Sequence, residues 1–288
     1  MKNNSIPDSQ PLLKGWLRAL LIIVPFFAVT IVFQRIGYSI LGLDIMSRQP
    51  LTLAETAVLQ CITVTGHLLL VFVFIRYIDR RSFMSLGLQL KGYAKDILPG
   101  IATGAIIMSL GFAVLLVLNG IEVTHIRFDA CKLLTWTALF VLVALNEEIF
   151  CRGYVLYNFL QSTNRYPALI FSSMIFSILH IFNPDFDLMS FVSILLAGLL
   201  LGISYIYTKN LWFPVALHFS WNFFQGPVFG FNVSGTSVYS IINQHPEGNN
   251  ILNGGEFGFE GSILSQIFIV IATVLIWRYV KKSRFQSS

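Results

Sequence analysis

The sequence predicts an all-α polytopic membrane bundle of about eight transmembrane helices, and three observations carry that expectation. Hydrophobic residues make up 55% of the 288-residue chain and charged residues 11%, whereas soluble globular domains carry about 25% charged residues. The mean hydropathy is +0.72. Apolar stretches recur at roughly the 20-residue length needed to cross a bilayer, and the basic residues cluster beside them on alternate sides.

The expected spans run near residues 17–39, 55–77, 97–119, 133–157, 167–182, 188–207, 211–225 and 262–280. The first follows Lys2, Lys14 and Arg18. It lacks the short apolar core and small-residue cleavage site of a signal peptide, so an uncleaved first span is expected. The fifth and seventh are short, which suits helices tilted or shielded by neighbours. Counting loops alternately, one side holds only Arg35, Arg48, Arg127 and Lys132 among the 19 Lys and Arg residues. The positive-inside rule then places the other side, with both termini, in the cytoplasm of a cell most simply bounded by its plasma membrane. The long 226–261 segment, with Asn249, Asn250, Asn253, Gly254 and Gly255, reads as an exposed outer loop.

Nothing resembles an interdomain linker, so residues 1–288 are expected to form a single integral-membrane domain. The net charge of +5 does not imply nucleic acid, because the positive residues form no stripe apart from the apolar spans. Cys61, Cys131 and Cys151 follow no metal-ligand spacing and read as free thiols. In the sixth span, Gly198-x-x-x-Gly202 would let another helix approach closely.

Three patterns place polar chemistry inside this apolar frame. The first is Glu147-Glu148-x-x-x-Arg152. On a helix Glu148 and Arg152 are i,i+4 neighbours with the acid first, a favourable order for an ion pair. Glu147 lies about 100° around the helix and points elsewhere. Read alone, these charges also suit a membrane boundary, where they can snorkel to water. The second pattern is Phe176-x-x-x-His180, before a helix-stopping Asn183-Pro184. A lone histidine there also suits a satisfied core position, and Phe176 packs rather than reacts, since a phenyl ring has no proton to exchange. The third, His218-x-x-x-Asn222, aligns two polar side chains on one apolar helix, either as interhelical glue or as part of a site. His67, in the second span, reads as core packing or a helix–helix hydrogen bond.

Taken together, a carboxylate, an imidazole, and an imidazole with a carboxamide make up a complete set for hydrolysis. Their identities, spacing and order resemble the CPBP family of intramembrane proteases. That family includes the type II CAAX-prenyl endopeptidases and the Abi-type bacteriocin self-immunity proteins. The resemblance covers roughly residues 130–230, the expected catalytic core, and the eight-span layout is also similar to the family. With the residue chemistry it implies an intramembrane endopeptidase in which Glu147, paired with His180, activates water. His218 and Asn222 would stabilise the oxyanion, while Glu148, Arg152 and Phe176 support the site.

A zinc alternative stays open, with Glu147, His180 and His218 as a His₂Glu ligand set. No cofactor is favoured, because no H-E-x-x-H pattern occurs and Asn222 is a poor zinc ligand but a good carbonyl donor. The implied partners are the lipid bilayer and a membrane-associated protein or peptide substrate, whose prenylation is left open. A non-catalytic immunity or scaffold protein and a proton-relaying transporter are the competing readings. The complete constellation disfavours the first. The lack of paired, interrupted repeat halves disfavours the second.

Overall fold

Four prolines set where helices begin. Pro25, Pro99, Pro167 and Pro214 are each the third residue of α2 (Ile23–Ile40), α4 (Ile97–Val117), α7 (Arg165–Ile178) and α9 (Trp212–Phe223). There the missing N–H is one that the first turn leaves free anyway. Pro25 also separates α2 from α1 (Gly15–Leu21), which ends before Ile22. Side-chain caps start three others. Thr52 and Glu55 form a capping box before α3 (Leu53–Val73), and Asp129 caps α5 (Ala130–Glu148). Asp187 caps α8 (Leu188–Thr208), accepting from the Ser190 N–H at 2.8 Å.

The structure, a computed structural model, describes residues 11–46 and 49–285, without the side chains of 283–285. Lys2 and Arg48 of the charge argument lie outside the described residues. The chain is a polytopic helical bundle. Among the described residues, six helices are long and apolar enough to cross a membrane: Gly15–Ile40, Leu53–Ile78, Ala94–Val117, Ala130–Leu160, Leu188–Thr208 and Ile263–Lys282. The last lies within α11 (Ile263–Phe285). The expected fifth and seventh spans are the shorter α7, with 14 residues, and α9, with 12. At 1.5 Å per residue these reach only about 21 and 18 Å, against a hydrocarbon core of about 30 Å. Six helices among the described residues thus have full spanning length, and the expected count of eight is not confirmed.

The loops sort into two groups. On one end, the backbone N–H of Leu211 donates to Gly87 and that of Trp16 to the Ser162 hydroxyl. Beneath them Asp79, with a fully buried side chain, pairs with Arg18 at 2.9 Å and Arg81 at 3.1 Å. It also accepts from the Tyr154 hydroxyl and the Asn158 carboxamide. This cluster fastens α1 to the helix that carries the first motif. On the other end, β1 (Ile121–Ile126) pairs antiparallel with β2 (Ile242–Pro246), from Ile121↔Pro246 to Ile126↔Ile242 with a register shift between Val123 and His125. Both groups match the alternation read from the charges.

The second group corrects the reading of 226–261 as an exposed loop. Phe231, Tyr239, Phe257 and Phe259 are buried, and the segment includes β2 and the short helix α10 (Asn250–Asn253). The Gly and Asn residues there serve tight turns: Gly254 adopts φ +87° and Asn249 caps α10. The aromatic residues between them supply a core.

Candidate active site

The first motif lies where α5 changes its winding. The α-helix ends at Glu148 and continues as a π-helical stretch, Ile149–Leu156, into α6 (Tyr157–Leu160). Such wide turns shift side chains relative to a regular helix and are frequent at functional sites. Glu148 and Arg152 still meet, with Nη1 donating to Oε1 at 2.7 Å, and both side chains are buried. The other guanidinium end donates to the Gly198 carbonyl at 3.2 Å. Arg152 also lies 4.3 Å over the Phe176 ring, a favourable cation–π geometry.

The Gly198 carbonyl comes this close because α7 and α8 touch at glycines. A Cβ on Gly198 would fall 2.8 Å from the Ser173 Cβ, and one on Gly202 would collide with Leu169. We expect Gly198→Val to cost about 1–3 kcal/mol through overpacking. A lower unfolding midpoint in detergent micelles, compared with wild type, checks this.

His180 lies just past the end of α7, not on its last helical turn, because Asn183-Pro184 stops the helix earlier than the spacing implies. The His180 N–H turns to the Ser177 carbonyl, which leaves the Phe176 carbonyl free. That carbonyl accepts from His180 Nδ1 at 2.7 Å. A carbonyl can only accept, so Nδ1 carries a proton, and the ring turns its Nε2 towards Glu147. Phe176 supplies the carbonyl from its backbone, while its ring packs edge-on to both imidazoles.

His218 is buried on α9. Its Nδ1 lies 2.9 Å from Glu148 Oε1 and donates to that ion-paired carboxylate. Glu148 thus accepts from Arg152 and His218 together. The far nitrogen of His218, Nε2, is 3.8 Å from Glu147 Oε2, and His180 Nε2 is 3.7 Å from the same oxygen. Both separations are too long for direct hydrogen bonds and suit a shared water. The Glu147 oxygen itself is buried without a hydrogen-bond partner. Asn222, one turn beyond His218, is buried and lines the same cavity of about 770 Å³.

The structure therefore brings Glu147, Glu148, Arg152, Phe176, His180 and His218 into mutual contact, with Asn222 on the cavity wall. As zinc ligands, Glu147, His180 and His218 are suitable donor types. Among the described residues, however, no group of three or more His, Cys, Asp or Glu side chains has a metal-holding arrangement. The three cysteines are free.

Sequence reasoning missed the shell behind Glu147. His67 stacks on Phe26 with ring centroids 4.2 Å apart, and its two nitrogens meet Thr30 at 2.8 Å and Asn146 at 3.2 Å. Thr30 already donates to the Phe26 carbonyl. It therefore accepts from His67 Nε2–H, which leaves Nδ1 to accept from Asn146. The helix–helix hydrogen bond expected of His67 is thus present, and it holds the residue next to Glu147. The spacing from Thr56 to His67 carries a signal of this, since both fall on one face of α3.

A helical membrane bundle enclosing a buried cluster of acids, imidazoles and an ion-paired arginine is an integral membrane protein of enzyme-like construction. Residues 129–224 match the family model described as Type II CAAX prenyl endopeptidase Rce1-like. All three motifs fall inside the match, as the resemblance led us to expect. The family is one of CAAX-type intramembrane proteases. No curated protein matches the chain.

Proposed function

We propose that the chain is an intramembrane endopeptidase in which Glu147 activates water to hydrolyse a peptide bond of a membrane-associated substrate. The observation that carries this reading is the unpaired Glu147 oxygen, facing two imidazole nitrogens at 3.7 and 3.8 Å within the cavity. A water between them donates to Glu147 and to the His180 lone pair. As its oxygen bonds to the carbonyl carbon, the proton passes to this pair and then to the leaving amine as the C–N bond breaks. The carbonyl oxygen becomes an oxyanion, which the Asn222 amide and His218 Nε2 stabilise by donating to it. Because His218 Nδ1 already donates to Glu148, this role requires the imidazolium. Glu147 and Glu148 supply its counter-charge.

The apolar walls, including Phe27, Phe140, Phe150 and Leu201, suit a hydrophobic substrate, and a prenylated one is among those that fit. The charge bias of the sequence supports a cytoplasmic side for both termini, with the plasma membrane as the simplest location. A second reading, with Glu147, His180 and His218 as zinc ligands, draws on the same convergence of acceptor atoms. The non-catalytic immunity or scaffold reading has no use for such a convergence.

Mass spectrometry of membrane proteins from cells with the wild-type chain or Glu147→Ala tests the proposal. A cleavage product present only with the wild type supports it, whereas identical product sets argue for a scaffold. Asn222→Ala should slow turnover by about 10²–10³-fold, the usual effect of losing one oxyanion donor, with little change in metal content. Retained activity after exhaustive chelation separates the metal-independent site from the zinc reading.

A further inference from the structure

The same cavity has an unassigned polar wall. Thr56, Gln60 and Thr63 stand at i, i+4 and i+7 on α3, so they share one face. With Gln34 of α2 they line the cavity that contains Glu147. Among the described residues, the Gln34, Gln60 and Thr63 side chains have no hydrogen-bond partner. Thr63 is 8% exposed. Polar side chains that face a cavity between apolar helices are best matched by a ligand that brings its own polar groups.

The chemistry of the wall selects the ligand. Carboxamides and hydroxyls both donate and accept, as peptide groups do. Among the described residues that line the cavity there is no Lys or Arg, and the His218 imidazolium is already faced by Glu147 and Glu148, so a free carboxylate is poorly matched there. In the same lining, Trp136 and Phe140 of α5 stack with ring centroids 5.5 Å apart and offer an apolar surface. We propose that Gln34, Thr56, Gln60 and Thr63 bind the extended backbone of the substrate chain on one side of the scissile bond. The substrate there is an internal stretch of polypeptide, not a free C-terminus. This rests on the peptidase reading of the site. From Thr56 to His67 the face runs about 16 Å, enough for about five extended residues.

Peptides retained by detergent-purified Glu147→Gln chain from a synthetic ten-residue library provide the probe. Each is compared with versions N-methylated at single backbone amides, which lack one donor. Methylation at positions on one side of the scissile bond should weaken binding about tenfold, the effect of roughly one net hydrogen bond. Adding Gln60→Leu and Thr63→Val should weaken the parent peptide by a similar factor and abolish its discrimination against the methylated forms. Thermal unfolding confirms that this variant is folded, and Gln34→Leu provides an independent variant. Unchanged affinity and discrimination in a folded stripe variant would overturn the proposal, as would failure to retain any peptide. If retained peptides are not hydrolysed by the wild-type chain, the catalytic reading fails while the stripe stands.

Discussion

Glu147→Gln is expected to give a folded chain that hydrolyses no peptide. The substitution keeps size and shape but removes the negative charge and the basic oxygen that faces both imidazoles. Folding should survive because this oxygen has no hydrogen-bond partner to lose and the side chain is 28% exposed. Removing a general base typically costs about 10²–10⁴-fold. Here the same change also deprives His218 of one counter-charge, so turnover should fall to the limit of detection. Peptide cleavage by purified protein, set beside its unfolding midpoint, checks both halves. Full activity in Glu147→Gln would show that the two carboxylates have been assigned the wrong way round.

Glu148→Gln should fail differently. It leaves the Arg152 guanidinium, 1% exposed, without its counter-charge, and breaking a buried pair from one side costs about 3–5 kcal/mol. It also weakens the acceptor that orients His218. We expect a large fall in the unfolding midpoint together with loss of activity. Removing the second charge should then recover stability without recovering function. Glu148→Gln combined with Arg152→Met should unfold nearer the wild-type midpoint, since neither partner is left as a lone buried charge, yet remain inactive. Wild-type stability in Glu148→Gln alone would show that the pair is not the structural anchor of this helix.

The contrast between these two acids was legible in the sequence, because helical periodicity already separates Glu147 from the Arg152 face. Both histidines and Asn222 were legible for a related reason: polar groups in apolar helices stand out against their background. The π-helical stretch after Glu148 was not, since its residues, Phe150, Tyr154 and Leu156 among them, are buried and no local residue pattern announces it. The fold of 226–261 was hidden by turn-forming residues that dominate its composition, although Phe231, Phe257 and Phe259 lay in plain view. His67 was read as core packing or a helix–helix hydrogen bond with no partner named, because Thr30 and Asn146 lie 37 and 79 residues away. Only the tertiary structure shows that it supports the residue beside Glu147.

The central claim is that water activated at Glu147 cleaves a peptide bond within this cavity. The most direct measurement is hydrolysis of a peptide library by the purified full chain in ¹⁸O-labelled water, with Glu147→Gln in parallel. The account predicts new C-terminal carboxylates that carry ¹⁸O with the wild-type chain and none with Glu147→Gln. New termini formed equally by both proteins, or by neither, would contradict it.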